Sequence, residues 1–463
     1  MAQAQAARRP GVNVFDETKP MWQILLVFLI PLMISNILQS GSQTLALLFL
    51  GRMLGVNAVA AVSAVFPVIF LLLSFMIGIA SGSTVLIGQA YGAGDHHKVK
   101  KIAGTVLGAT VFFSFIIAFA GLWLGEPMMR LLGTPEAIFA PAVSYTHVVF
   151  LTMPVLFPYI MYTTFLRGTG DSTTPMWFLI VGTVLIAVFG PMFIGGWLGM
   201  PKLGINGIAI ASACSNGISF AALLVVLARM NHPLKFDAET ARDMIFDPKI
   251  LWQVVRIGVP TGVQVIMVSI AEIAVLSFVN RFGAPATAAY GAVNQVVNYV
   301  QFPAISISIA ASIFGAQCIG ARREDKLGSV IRSGVALSYA IGGTLIVLCY
   351  LLSRFVLGWF LTDPATLDMA QSCLFITLWA YLLFGNSAVL GGVMRSSGTV
   401  LVPMLNGIIA IWGVEVPAAF ILMHHYNLQG VWMGYPFGYA ALLTLNFCYY
   451  TFFWKKKTHA RLV

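Results

Sequence analysis

Charged residues are scarce in this chain. Asp, Glu, Lys and Arg make up 9% of its 463 positions, against roughly a quarter in an ordinary soluble domain. A soluble fold of this length needs more charged surface than 26 Lys and Arg with 16 Asp and Glu can cover. That excludes soluble enzymes and disordered chains. Cysteine is also sparse. Cys214, Cys318, Cys349, Cys373 and Cys448 all fall in apolar stretches and form no CxxC pair, so neither a disulfide frame nor a zinc site is indicated. There is no GxxxxGK[ST] phosphate loop, no HExxH and no GxSxG, and the adjacent His424 and His425 lack the helical spacing a metal site needs. The expectation is no catalytic residue, no metal site and no cofactor. Any energy must then come from an ion gradient or from a substrate's own gradient.

Apolar residues are abundant. They make up 59% of the chain, with 44 Gly, 33 Phe, 21 Pro and 20 Met, and mean hydropathy is +0.88. Such a composition suits packed membrane helices. A bilayer core needs about 20 apolar residues per helix. Twelve such runs occur, at 22–50, 56–86, 99–124, 138–165, 175–198, 204–229, 252–281, 286–318, 327–353, 367–394, 400–424 and 428–454. The fold class expected is an all-α polytopic membrane protein with twelve transmembrane helices. The net charge of +10 then reads as loop charge, not as a nucleic-acid surface. With both termini in the cytoplasm, 21 of the 26 Lys and Arg fall on inside segments, Arg8, Arg9, Lys455 and Lys456 among them. The outside keeps Arg52, Arg130, Lys202, Arg281 and Arg354. The first apolar run has no signal-peptide cleavage pattern and is expected to remain as a span.

The two halves repeat. A shift of 228 carries Gly55 onto Gly283, Gln89 onto Gln317, Lys98 onto Lys326, Arg167 onto Arg395, Gly170 onto Gly398 and Pro175 onto Pro403. A one-residue gap brings Pro31 onto Pro260. Six helices per half is an even number, so the repeats are parallel and enclose a cavity between them. The expected organisation is a cytoplasmic tail (1–20), a first lobe (21–230, helices one to six), a linker (231–249), a second lobe (250–454, helices seven to twelve) and a basic tail (455–463).

An ionisable group inside a span costs a few kcal/mol, so it usually faces a cavity and has work there. Two acids qualify, Glu272 in helix seven and Glu415 in helix eleven. Thr261, Gln264 and Glu272 follow helical spacing. Amides supply further polar faces: Asn36, Gln39 and Gln43 in helix one, and Asn294 and Asn298 with Tyr299 in helix eight. Gln43 is the repeat equivalent of Glu272. His147 in helix four, and Tyr381 and Asn386 in helix ten, complete the candidates. Each amide can equally serve helix–helix hydrogen bonding, worth roughly 1 kcal/mol.

The sequence GQAYGAGDHHKVKK after helix two, its echo GAQCIGARREDK after helix eight, and FLRGTGDSTTP after helix four resemble the multidrug and toxic compound extrusion (MATE) transporters. The resemblance covers essentially the whole chain. It implies a V-shaped pair of six-helix lobes, MATE-like, in a bacterial inner membrane, expected as a monomer. The implied activity is export of organic cations and other amphipathic compounds in exchange for H⁺ or Na⁺. Partners would be small molecules and the bilayer, with no nucleic acid. Many members carry an Asp in helix one, where Ala46 stands here. Members also use a Glu in helix seven and an Asp in helix ten. This chain has Glu272 in helix seven, and in helix ten Asn386 and Tyr381 without an acid. A lone carboxylate suits H⁺ better than Na⁺. The resemblance also admits a lipid-linked oligosaccharide flippase of the related superfamily, which would need several cavity Arg or Lys, and these spans have almost none in mid-membrane.

Overall fold

The computed structural model describes residues 11–230 and 232–463. Arg8, Arg9 and the first linker residue, Asn231, lie outside the described residues. The chain is all helical, with no strand among the described residues. α1 is Met21–Leu54, α2 Val56–Gly92, α3 His96–Leu131, α4 Glu136–Gly168, α5 Thr173–Gly195 and α6 Asn206–Arg229. The linker holds one short helix, α7 (Ala238–Arg242). α8 (Pro248–Asn280) and α9 (Ala284–Gly320) follow. α10 (Leu327–Leu337), a π-helical turn (Ser338–Gly342) and α11 (Gly343–Leu351) run on as one span. The short α12 is Ser353–Leu357. α13 (Pro364–Thr377) passes through a 3-10 turn into α14 (Tyr381–Ser396). α15 (Leu401–Ile408) passes through a π-helical stretch (Ile409–Glu415) into α16 (Val416–Phe452).

Eleven continuous helical segments are long and apolar enough to cross a membrane among the described residues. The last, Leu401–Lys456, is broken at Asn427, whose φ of 52° and ψ of −136° are not helical. The break leaves two lengths that can each span, so the count agrees with the twelve apolar runs.

Turn residues set the helix ends. Gly55 and Gly283, equivalent in the repeat, have φ of 85° and 91°, a region that only glycine enters without strain. Asp95, Asp171 and Asp363 accept backbone N–H groups at the starts of α3, α5 and α13, which satisfies donors the helix leaves open. Gly94 has φ of 76°, but its repeat equivalent is Arg322, with φ of 58°. A side chain there stores strain.

The chain folds as two compact units. One holds Ile34–Val255 together with the segment that ends at Val12. The other holds Asn13–Met33 and Arg256–Val463. These boundaries differ from lobes cut at residues 230 and 250. The first part of α1 packs in the second unit, where Phe28 meets Phe314 at 5.3 Å. The linker and the first turns of α8 pack in the first unit. Pro31 and Pro260 lie next to the crossover points inside α1 and α8. A proline removes one backbone hydrogen bond and bends the helix, so one continuous helix can serve two bodies.

The linker is strapped to its unit. Lys100 donates to Asp237 at 2.7 Å and to Glu239 at 2.8 Å, and Lys101 reaches Asp247 at 2.8 Å. The Lys100 hydrogen bond, helped by the Thr240 N–H, pulls the Asp237 carboxyl down to about 2. The Tyr162 hydroxyl donates to the Leu234 carbonyl. Gly104 and Gly108 on α3 leave room for the strap's backbone at Asp243 and Met244.

Candidate functional site

The second unit gathers acids and tyrosines from five elements. Glu272 comes from α8 and Tyr290 from α9. Tyr381 opens α14, and Glu415 ends the π-helical stretch. Tyr435 and Tyr439 lie one turn apart on α16, so they share a face. The Tyr290 and Tyr435 hydroxyls are 2.6 Å apart. Tyr381 meets Tyr439 edge-on, with ring centres 5.1 Å apart. Asn294 lies one turn beyond Tyr290 on α9. A cavity of about 10 Å³, room for one water, lies between Tyr381, Ser338 and Pro303.

The two acids sit differently. Glu415 is 6% exposed, whereas Glu272 is exposed. Glu415 packs against α16 where two glycines stand. A Cβ on Gly438 would lie 2.6 Å from Glu415 Oε2, and one on Gly434 would lie 2.9 Å from the Glu415 carbonyl. The π-helical stretch adds a residue to the turn and re-aims the side chain at its end, and such turns recur at functional sites. No Lys, Arg or His pairs with either acid among the described residues. An unpaired carboxyl in this setting can hold a proton or a small cation.

The other candidates fall elsewhere. Asn386 is engaged by the π-helical turn: its Nδ2 donates to the Tyr339 hydroxyl at 2.8 Å, and its Oδ1 is buried without a partner. Gln264 lies against Gly407 of α15, and Thr261 is buried, bonded back to Ile257. Asn298 and Tyr299 are exposed. In the first unit, Gln39 and Gln43 are exposed along α1 and Asn36 is half-buried. His147 packs on Gly125 with its Nε2 buried and unpartnered. Sequence reasoning missed Tyr290, Tyr435 and Tyr439. The one-turn spacing of the last two was the available signal. It also missed a buried chain in which Asn406 donates to Asn446 and Asn446 to Ser387, at 2.9 and 2.8 Å.

A family model described as MatE matches residues 31–192 and again 260–421. The two matched stretches follow the internal repeat. The chain is 50% identical over 461 residues to a Bacillus subtilis (strain 168) protein named "Probable multidrug resistance protein YoeA", covering 99% of this chain and 100% of that one. It is 22% identical over 433 residues to the multidrug export protein MepA of Staphylococcus aureus (strain MRSA252), covering 90% of each. Among solved structures, the Vibrio cholerae MATE transporter VcmN in its bent form superposes with a TM-score of 0.84 at 18% identity, over 92% of this chain and 95% of that one. That likeness concerns the fold. On the double family match and the full-length relative, this chain belongs to the MatE family, the multidrug and toxic compound extrusion proteins that its loop motifs resemble.

Proposed function

We propose that this membrane protein is a secondary active antiporter that exports organic, cationic or amphipathic compounds in exchange for H⁺. The names of its relatives support the multidrug part of this reading. The observation that carries the coupling is Glu272, a carboxyl inside a spanning helix that pairs with no Lys, Arg or His among the described residues. A proton on Glu272 removes a charge and changes what the carboxyl can hydrogen-bond. A ligand shifts a conformational equilibrium only through its differential affinity for the two states, and the proton acts here as such a ligand. We place the protein, as a monomer, in a bacterial inner membrane, since its relatives are bacterial, with both termini in the cytoplasm on the loop-charge asymmetry. The aromatic side chains suit stacking on flat organic cations.

The test is uptake of a cationic dye into everted vesicles, with ΔpH and a Na⁺ gradient imposed separately. ΔpH alone drives uptake in the wild type, and Glu272→Gln abolishes it while the protein still folds. Full ΔpH-driven transport by that variant, or transport driven by Na⁺ alone, overturns the reading.

A further inference from the structure

The bases that follow the last helix stand on a turn that the fold holds at both ends. We propose that Lys455, Lys456 and Lys457 form a docking site for the headgroup of an anionic phospholipid, in the leaflet that the end of α16 reaches. The proposal is independent of the coupling ion and of the compound transported. It needs only that the helix before the turn crosses the bilayer.

Three features of the second unit carry the site. First, the turn is anchored before and after the lysines. Trp454 is 2% exposed, and its indole N–H donates to the Ser397 hydroxyl at 2.9 Å. Its ring stacks on Tyr450, with centres 5.5 Å apart, and on His459, with centres 4.0 Å apart. Farther along, Leu462 packs on Gly398, where a Cβ would lie 3.0 Å from Leu462 Cδ1. Second, the lysines between these anchors are bare. Trp454–Lys456 is one 3-10 turn, and the Lys457 N–H closes it on the Trp454 carbonyl at 3.1 Å. Lys455, Lys456 and Lys457 are all exposed, and none pairs with an acid among the described residues. The nearby acids are placed otherwise: Asp325 is held by Arg323, and Glu324 lines a cleft with Arg322, His459 and Arg461. Third, exposed apolar rings lead into the turn. Phe452 and Phe453 are exposed directly before it, and aromatic side chains at the end of a span gather at headgroup level.

A lysine ammonium is a compact point charge with three donors, which suits phosphate oxygens. Lysines directly after a spanning helix are drawn to anionic headgroups, by about fivefold in affinity for each one near the surface. A loose tail loses part of that gain to ordering, whereas a turn already fixed does not. Here the Trp454–His459 stack and the Leu462 contact fix the turn. His459 is therefore a positioning residue. Burial holds its imidazole below the usual His range, so at about pH 7.5 the ring is neutral and acts by stacking, not by charge. A bound lipid tethers the end of α16 and, through Ser397 and Gly398, the turn between α14 and α15.

The experiment uses full-length protein in micelles of an uncharged detergent, at about pH 7.5 and low ionic strength. Phosphatidylglycerol and phosphatidylcholine with the same fluorescent acyl chain are titrated, and anisotropy gives their dissociation constants. Wild type binds phosphatidylglycerol at least tenfold more tightly. K455Q/K456Q/K457Q loses at least tenfold for phosphatidylglycerol and nothing for phosphatidylcholine. K19Q/R242Q/K249Q removes as much charge from exposed positions elsewhere and stays within twofold of wild type. H459A weakens binding at least threefold, and H459F, which restores a ring without a charge, recovers it. Equal affinity for the two lipids, or equal losses in the two triple variants, overturns the site. Wild-type affinity in H459A overturns the fixed turn on which the site depends. Displacement of the lipid by inorganic phosphate at the same concentration marks a free-anion site and overturns the lipid assignment. The three lysines are unpacked, so their replacement leaves the fold intact. Should H459A not fold, H459K decides: it adds a charge but removes the ring, and must bind no more tightly than wild type.

Discussion

Placing one methyl group on Gly108 should release the strap formed by the linker. Gly108 lies on α3 directly under Met244, and a Cβ built there falls well inside van der Waals contact with the Met244 carbonyl oxygen. That neighbour is backbone and cannot rotate aside. Overpacking of this kind costs about 1–3 kcal/mol. Ala is favoured over Gly in a helix by up to about 1 kcal/mol, but that gain is the same whether the strap is docked or open, because α3 stays helical in both. The opening equilibrium therefore carries the full clash. At about 1.4 kcal/mol per factor of ten, the open population rises about 5- to 150-fold. Trypsin reads this directly, since Lys235, Arg242 and Lys249 lie in the strap. Where reclosing is faster than cleavage, the cutting rate follows the open population. Gly41→Ala is the control, because nothing lies within 4 Å of a Cβ there. Cleavage of Gly108→Ala at the wild-type rate, or equal acceleration in the control, would refute the argument.

Two further outcomes follow from the same loops. Burial lowers the His232 imidazole to about 4, and its Nδ1 accepts the Leu234 N–H at 3.0 Å, so protonation there loses a hydrogen bond. An unfolded imidazole takes its proton near 6.5, so stability is full above that pH and falls as pH drops from 6.5 toward 4, by up to about 3 kcal/mol. The unfolding midpoint should fall between pH 7 and 5 in the wild type and less steeply in His232→Gln, and parallel slopes would count against the buried neutral ring. Arg322→Gly should relieve the left-handed backbone at that position and raise stability by about 1 kcal/mol, read as a higher unfolding midpoint. A lower midpoint would mean the Arg322 side chain makes a contact worth more than the strain.

The sequence by itself determined the membrane class, the twelve apolar lengths and the repeat, because these are properties of composition and spacing along the chain. Gly55 and Gly283 marked equivalent turns, and the backbone takes the same left-handed conformation at both. Glu272 and Glu415 could be singled out as well, since an acid in an apolar run stands out one residue at a time. Tertiary structure alone decided what those residues meet. The shared use of α1 and α8 by two units, the clamp of Lys100 on Asp237, and the turning of Asn386 to Tyr339 all join positions far apart in the chain. The packing of Glu415 against α16 is set by how closely the helices approach at Gly434 and Gly438. Helical periodicity gives the face on which a side chain lies, whereas the neighbour it meets depends on packing between helices.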